Sequence, residues 1–206
     1  MKKRFALIML TAAVLMSGCA GRTQAQTKDE AAKGTEVSTA AGEKTKVKLQ
    51  IKDYGTITME LDPEYAPITV DNFLTLVKDG FYDGLTFHRI INGFMIQGGD
   101  PEGTGMGGAE KKIKGEFSSN GVDNPLSHTR GAVSMARSQN KNSASSQFFI
   151  VHEDSPHLDG DYAVFGYVTE GMDVVDKICE SVKVEDGNGT VKKENQPVIE
   201  KIEVVE

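Results

Sequence analysis

Arg89 lies in the apolar run Phe87-His88-Arg89-Ile90-Ile91, and Gln97 ends a second run, Phe94-Met95-Ile96-Gln97, with Asn92-Gly93 between the two. An Asn-Gly pair between strand-like runs reads as a hairpin, and alternation then sets Arg89 and Gln97 on neighbouring strands. A guanidinium on an apolar strand face needs an acceptor beside it, and the Gln97 amide can accept from it and fix its direction. Plain structural pairing would account for these residues. The chemical alternative is a planar, permanently charged fork held ready to stabilise charge on something bound, with no nucleophile, metal or proton transfer.

Other candidate chemistry is weaker. Gly103-Thr104-Gly105-Met106-Gly107-Gly108 fits G-x-G-x-x-G, but Ala109 to Gly115 lacks an apolar helical stripe and no βαβ unit surrounds it, so a Gly-rich surface loop is the better account. His88, His128, His152 and His157 have no metal-ligand spacing, so neither a metal site nor a cofactor is implied. Ser143, Ser145 and Ser146 lie in a polar loop without G-x-S-x-G, which gives a serine hydrolase little support. Cys179 recurs with Val175, Ile178 and Val182 at helical spacing; it reads as a small buried hydrophobe rather than a reactive thiol.

The elements that would position Arg89 and Gln97 are mostly strands. Val47, Leu49 and Ile51 alternate with polar residues, turn at Asp53-Tyr54-Gly55 and resume as Ile57, Met59 and Leu61, which predicts a hairpin. Pro67 suits a first helical turn, Val70, Phe73, Leu74 and Val77 follow at helical spacing, and Gly80 is placed to end a helix over 67–79. Short strands are expected at 86–91, 94–98, 131–135, 147–151 and 162–168, a second amphipathic helix at 172–181, and a closing strand through Val198, Ile202 and Val204. The chain has 206 residues, 38% hydrophobic, with 22 Gly and no internal repeat, which suits one mostly β domain: a barrel capped by helices.

Three ordered blocks resemble the cyclophilin family: Phe87 to Asp100; Gly131-Ala132-Val133-Ser134-Met135-Ala136 with Ser146-Gln147-Phe148-Phe149-Ile150; and Leu158-Asp159-Gly160 with Val164-Phe165-Gly166. The resemblance covers residues 47–206. It implies a closed eight-stranded antiparallel barrel capped by two α-helices, and peptidyl-prolyl cis-trans isomerase activity. Carried over residue by residue, it makes Arg89 the catalytic arginine and Gln97 its orienting partner. Phe94, Met95, Phe149 and Leu158 would wall the proline pocket, Ala136 and Gln147 would border the neighbouring groove, His157 would stand at the rim, and Tyr162 would also bind substrate. Arg137 stands where many members have Asn, His157 where well-known eukaryotic members have Trp, and Tyr162 where they have His. Loss of that Trp puts tight cyclosporin binding in doubt more than it does catalysis.

The implied chemistry matches what an Arg can do. An X–Pro bond resists rotation by about 18–20 kcal/mol because of amide resonance. Twisting it localises a lone pair on the prolyl nitrogen, and a donor aimed there lowers the barrier, helped by a pocket that strips water from the amide. The rival class is a peptide-binding chaperone or adhesion lipoprotein using the same groove with little turnover; an isomerase assay of an Arg89 variant separates the two.

The N-terminus carries its own signal. Met1-Lys2-Lys3-Arg4 precedes an apolar run from Phe5 to Leu15, too short to span a bilayer, and Leu15-Met16-Ser17-Gly18-Cys19 resembles the lipobox of bacterial lipoproteins, with Met16 where Leu is usual. An ordinary secretory peptide is the alternative. The expectation is a signal peptide at 1–18, lipidation at Cys19, a flexible tether over 19–46 with almost no large apolar side chain, and the domain from 47 to 206. Removing Lys2, Lys3 and Arg4 takes the formal charge from −7 to −10, with no basic stripe, which argues against nucleic acid as a partner. The expected partners are proline-containing polypeptides and, through Cys19, a bacterial membrane, with the domain monomeric and outside the cytoplasm.

Overall fold

The computed structural model describes residues 42–205; the signal peptide, Cys19 and most of the tether lie outside them. Eight strands and two helices follow along the chain: β1 Thr45–Ile51, β2 Gly55–Leu61, α1 Pro67–Lys78, β3 Thr86–Ile91, β4 Met95–Asp100, β5 Ala132–Met135, β6 Phe148–Val151, β7 Ala163–Glu170, α2 Met172–Ser181 and β8 Ile199–Val205. All ladders are antiparallel, in the order β3-β4-β6-β5-β7-β2-β1-β8. The edge strands meet at a Thr86–Val198 bridge, where Phe87 N–H donates to the Pro197 carbonyl at 3.0 Å and Ile199 N–H to that of Leu85 at 2.8 Å. The sheet thus closes over a short seam.

The domain starts two residues before the expected 47, because Thr45 and Lys46 pair with Leu61 and Glu60. Backbone pairing extends β1 past its apolar alternation. Helix α1 also departs from a local account. Pro67 opens it, but its N-cap residue, Ala66, has no capping side chain. The buried carboxylate of Glu116 instead accepts from the N–H groups of Ile68 at 3.0 Å and Thr69 at 2.7 Å, satisfying orphan donors from 48 and 47 residues away. Gly80, at φ 66°, ends it as expected.

Alternation sorts the strands into two apolar sets. Ile96, Val133, Met135, Phe148, Ile150 and Phe165 join the main core inside the barrel with Phe73 of α1 and Val175 and Ile178 of α2. Met95, Ala132, Phe149, Val151 and Val164 point the other way and form a second cluster with Phe94, Ala136, Leu158 and Tyr162. Both faces of β5 and β6 are therefore buried, and the outer cluster is the floor of the site.

Candidate active site

Two bulges put Arg89 on that outer face. Phe87 pairs with Gly98 and Arg89 with Gln97, leaving His88 unpaired on β3; Thr86 pairs with Asp100, leaving Gly99 unpaired on β4. Were His88 paired in a regular ladder, Arg89 would share a face with Phe87, which is fully buried in the main core. Gly99 has φ 82°, and a Cβ on it would lie 2.5 Å from the Ser146 carbonyl oxygen, so only glycine fits this bend.

Arg89 is gripped from two sides. Its Nε donates to the Asn188 carbonyl at 2.8 Å and its Nη1 to Gln97 Oε1 at 3.2 Å. Gln97 Nε2 donates to Gln147 Oε1 at 2.9 Å, and Gln147 Nε2 to the carbonyls of Gly105 and Gly107 at 3.1 and 2.8 Å. A chain of amides thus ties the guanidinium to the Gly-rich loop. Partial burial lowers the Arg89 pKa, opposed only in part by Tyr162 and Asp186, and a guanidinium stays charged regardless. The second clasp comes from far along the chain: Ile90 N–H donates to the Gly189 carbonyl, and Arg89 pairs with Thr190.

Arg89 stands over a cleft of about 350 Å³. Of the expected site residues, Arg89, Phe94, Met95, Gln97, Ala136, Phe149, Leu158 and Tyr162 all line it. Gln147 lines the adjoining cavity instead, together with Ala136. His157 is exposed, its ring 5.5 Å from that of Phe94. Tyr162 meets Phe149 edge-on at 6.0 Å, and the Arg137 guanidinium sits 4.6 Å above the Tyr162 ring.

Some participants have no sequence signature. Behind Phe149 lies His128, 1% exposed, its ring stacked on that of Phe149 at 5.9 Å. Its Nδ1 is 2.8 Å from an Asp159 carboxylate oxygen and its Nε2 3.0 Å from Ser134 Oγ. The order is that of a hydrolytic triad, but Ser134 is wholly buried, so no substrate reaches it, and the array stiffens the pocket wall. Burial pushes the His128 pKa below its ordinary value despite the opposing Asp159. With the ring neutral and Asp159 accepting, Nδ1 carries the proton and Nε2 accepts from Ser134. His88 also lines the cleft; it is 5% exposed, neither ring nitrogen has a partner among the described residues, and burial lowers its pKa too.

The Gly-rich loop is explained by Asp100. Its carboxylate accepts from the N–H groups of Glu102, Thr104, Gly105 and Gly107 at 2.6 to 3.3 Å. Burial raises its pKa, but these donors outweigh that and hold it below the ordinary value. The amides that would cradle a phosphate in a dinucleotide fold are occupied by the protein's own anion.

The family profile described as Cyclophilin type peptidyl-prolyl cis-trans isomerase/CLD matches residues 46–204. The chain belongs to the cyclophilin family. This cyclophilin is 49% identical over 144 residues to peptidyl-prolyl cis-trans isomerase B of Bacillus subtilis, covering 70% of the chain and 92% of that protein. It is likewise 49% identical over 133 residues to a peptidyl-prolyl cis-trans isomerase of Helicobacter pylori strain J99, covering 64% of the chain and 79% of that protein. Among solved structures, a cyclophilin-type isomerase of Cryptosporidium parvum superposes with TM-score 0.70 at 30% identity, over 80% of this chain and 99% of that one. The same protein crystallised in the presence of the dipeptide Ala-Pro gives 0.69 at 32% identity, over 78% and 99% of the two chains.

Proposed function

We propose that this cyclophilin speeds rotation about X–Pro peptide bonds in exported or surface polypeptides, with Arg89 as the catalytic residue. The observation that carries the reading is a doubly held guanidinium beside an apolar cleft floored by Met95, Phe149 and Leu158. A prolyl ring resting on those side chains brings its amide to Arg89, whose Nη2 has no acceptor among the described residues. As the bond twists, the nitrogen lone pair is freed from resonance and accepts from the guanidinium, a bond that the planar ground state cannot make. The apolar floor removes water from the amide and favours the less polar twisted state. Gln97 and Gln147 keep the fork aimed, and no atom is transferred. A proline-containing substrate is in keeping with the Cryptosporidium parvum relative crystallised with Ala-Pro.

The test is a protease-coupled assay of a Pro-containing peptide with wild type and Arg89→Ala. The wild type accelerates isomerisation and the variant loses about two orders of magnitude in kcat/KM, roughly 2.7 kcal/mol of transition-state stabilisation. Activity of the variant within threefold of wild type would remove Arg89 from the mechanism.

The location is inferred from the N-terminus. A basic start, a short apolar run and Ser17-Gly18-Cys19 support cleavage before Cys19 and its acylation, with the segment to about 44 as a tether. Mass spectrometry of the mature protein would find a lipid-modified Cys19 at its N-terminus; an unmodified Cys19 would leave only secretion.

A further inference from the structure

Beside the proline cleft lies a second cavity of about 390 Å³, which shares Gln97, Gly105, Ala136 and Arg137 with it. One extended chain can therefore enter both, because alternate residues face the same way about 6–7 Å apart. Two cations line this second cavity, Lys112 and Arg137, and neither has a carboxylate within ion-pair distance among the described residues. Lys112 Nζ donates only to the Ala109 carbonyl at 3.1 Å and Ser145 Oγ at 3.3 Å. Arg137 donates to the main-chain carbonyls of Asp161 and Ser138, its guanidinium 5.1 Å from the Phe117 ring centre and 4.6 Å from that of Tyr162. The nearby carboxylates are turned elsewhere: Asp100 to the loop amides beneath, Asp161 to Ser119 Oγ. Two uncompensated cations in one cavity are conspicuous in a chain of net charge −7.

We infer that this cavity selects an acidic side chain two residues from the proline, held by Lys112 and Arg137. The inference rests on the isomerase reading of the adjoining cleft. Met106, 88% exposed, also lines the cavity and offers apolar surface to the methylene stem of a Glu.

Two peptide pairs test it, with Glu or Gln two positions before the proline and, separately, two positions after. Both kcat/KM and the dissociation constant are measured for each peptide. In one placement Glu is favoured over Gln by about fivefold or more at low ionic strength, and the ratio falls towards one at about 0.5 M salt, where screening is short-ranged. The ratio also approaches one in Lys112→Gln and drops below one in Lys112→Glu. A ratio within twofold of one in both placements at low salt, or one unmoved by Lys112→Gln, would overturn the inference. Turnover of neither peptide would instead overturn the isomerase reading, and the ratio of dissociation constants would then decide the cavity alone.

Discussion

In the proposed mechanism Arg89 works through direction as much as charge, because its Nε and Nη1 are committed to Asn188 and Gln97 and its remaining nitrogen has no acceptor among the described residues. A lysine at this position keeps the charge but is a mobile point donor that cannot hold both partners and reach a third. Arg89→Lys should therefore lose most of the hundredfold expected for Arg89→Ala, while Gln97→Ala, which leaves the Asn188 clasp, should lose about tenfold. Far-ultraviolet dichroism and the peptide assay check both; full activity in Arg89→Lys would show that charge alone suffices. His157 poses a separate question. Its imidazole rests on Phe94 at the rim, outside the lining of the cleft, so prolyl substrates should barely feel it, whereas a large cyclic inhibitor would. If an indole added roughly 60 Å² of apolar contact there, at about 25 cal/mol per Å² it would contribute about 1.5 kcal/mol, or tenfold in affinity. His157→Trp should tighten cyclosporin about tenfold with little change in kcat/KM, and equal inhibition constants for the two forms would mean that residue 157 does not reach the inhibitor.

At the scale of elements, the loop after β4 is organised by one buried carboxylate rather than by a ligand. Asp100→Asn would replace an acceptor of four N–H groups by a side chain that turns a donor towards some of them. The cost should be about 2–3 kcal/mol, since bonds to a charged group contribute more than neutral ones, read as a lower unfolding midpoint in denaturant. Because Gln147 anchors on the Gly105 and Gly107 carbonyls, kcat/KM should fall as well; an unchanged midpoint would mean that the loop holds its shape without the charge. Most element boundaries were legible. Both helices follow from apolar spacing, Pro67 and Gly80, and strand positions from alternation. The bulges at His88 and Gly99 were not, since they come from ladder pairing that local composition does not encode, and β4 runs on to Asp100 past the strand end expected at Gly98. The Asn188 clasp and the Glu116 cap were equally hidden, being 99 and 48 residues from their partners. The cyclophilin resemblance named Arg89, Gln97 and the apolar walls of the cleft but not His88, Thr104, Gly105, Asn188 or Thr190, which also line it, and composition and spacing alone did not reveal that Arg89 is held by a main-chain carbonyl.

For the molecule as a whole, stability should depend on pH through buried histidines. His88 and His128 titrate below the ordinary value because burial disfavours the cation. Between those lowered values and about 6.5, the unfolded chain binds protons that the native one refuses, so their contribution is complete above about pH 6.5 and is lost as pH falls below it. Asp100 and Asp159 titrate below the ordinary carboxylate value; their contribution is present above about pH 3.9 and is lost as pH falls through their lower native values. Each proton changes stability by at most about 1.4 kcal/mol per pH unit, so Tm should be about 2–8 °C lower at pH 5.5 than at 7.5. Replacing both histidines by Gln should flatten that slope, and an equal or higher Tm at pH 5.5 in the wild type would refute the assignment.

The two apolar sets of the barrel carry a consequence for how such a chain can change over generations. Along β4 and β6, neighbouring letters answer to different demands: Ile96, Phe148 and Ile150 face the interior, while Met95, Gln97 and Phe149 face the cleft. Folding depends mainly on the first set and recognition on the second, although they sit one residue apart. Substitutions at alternate positions can therefore retune what the cleft accepts while leaving the inner packing as it is. A duplicated copy of this chain starts its divergence with recognition and foldability already separable.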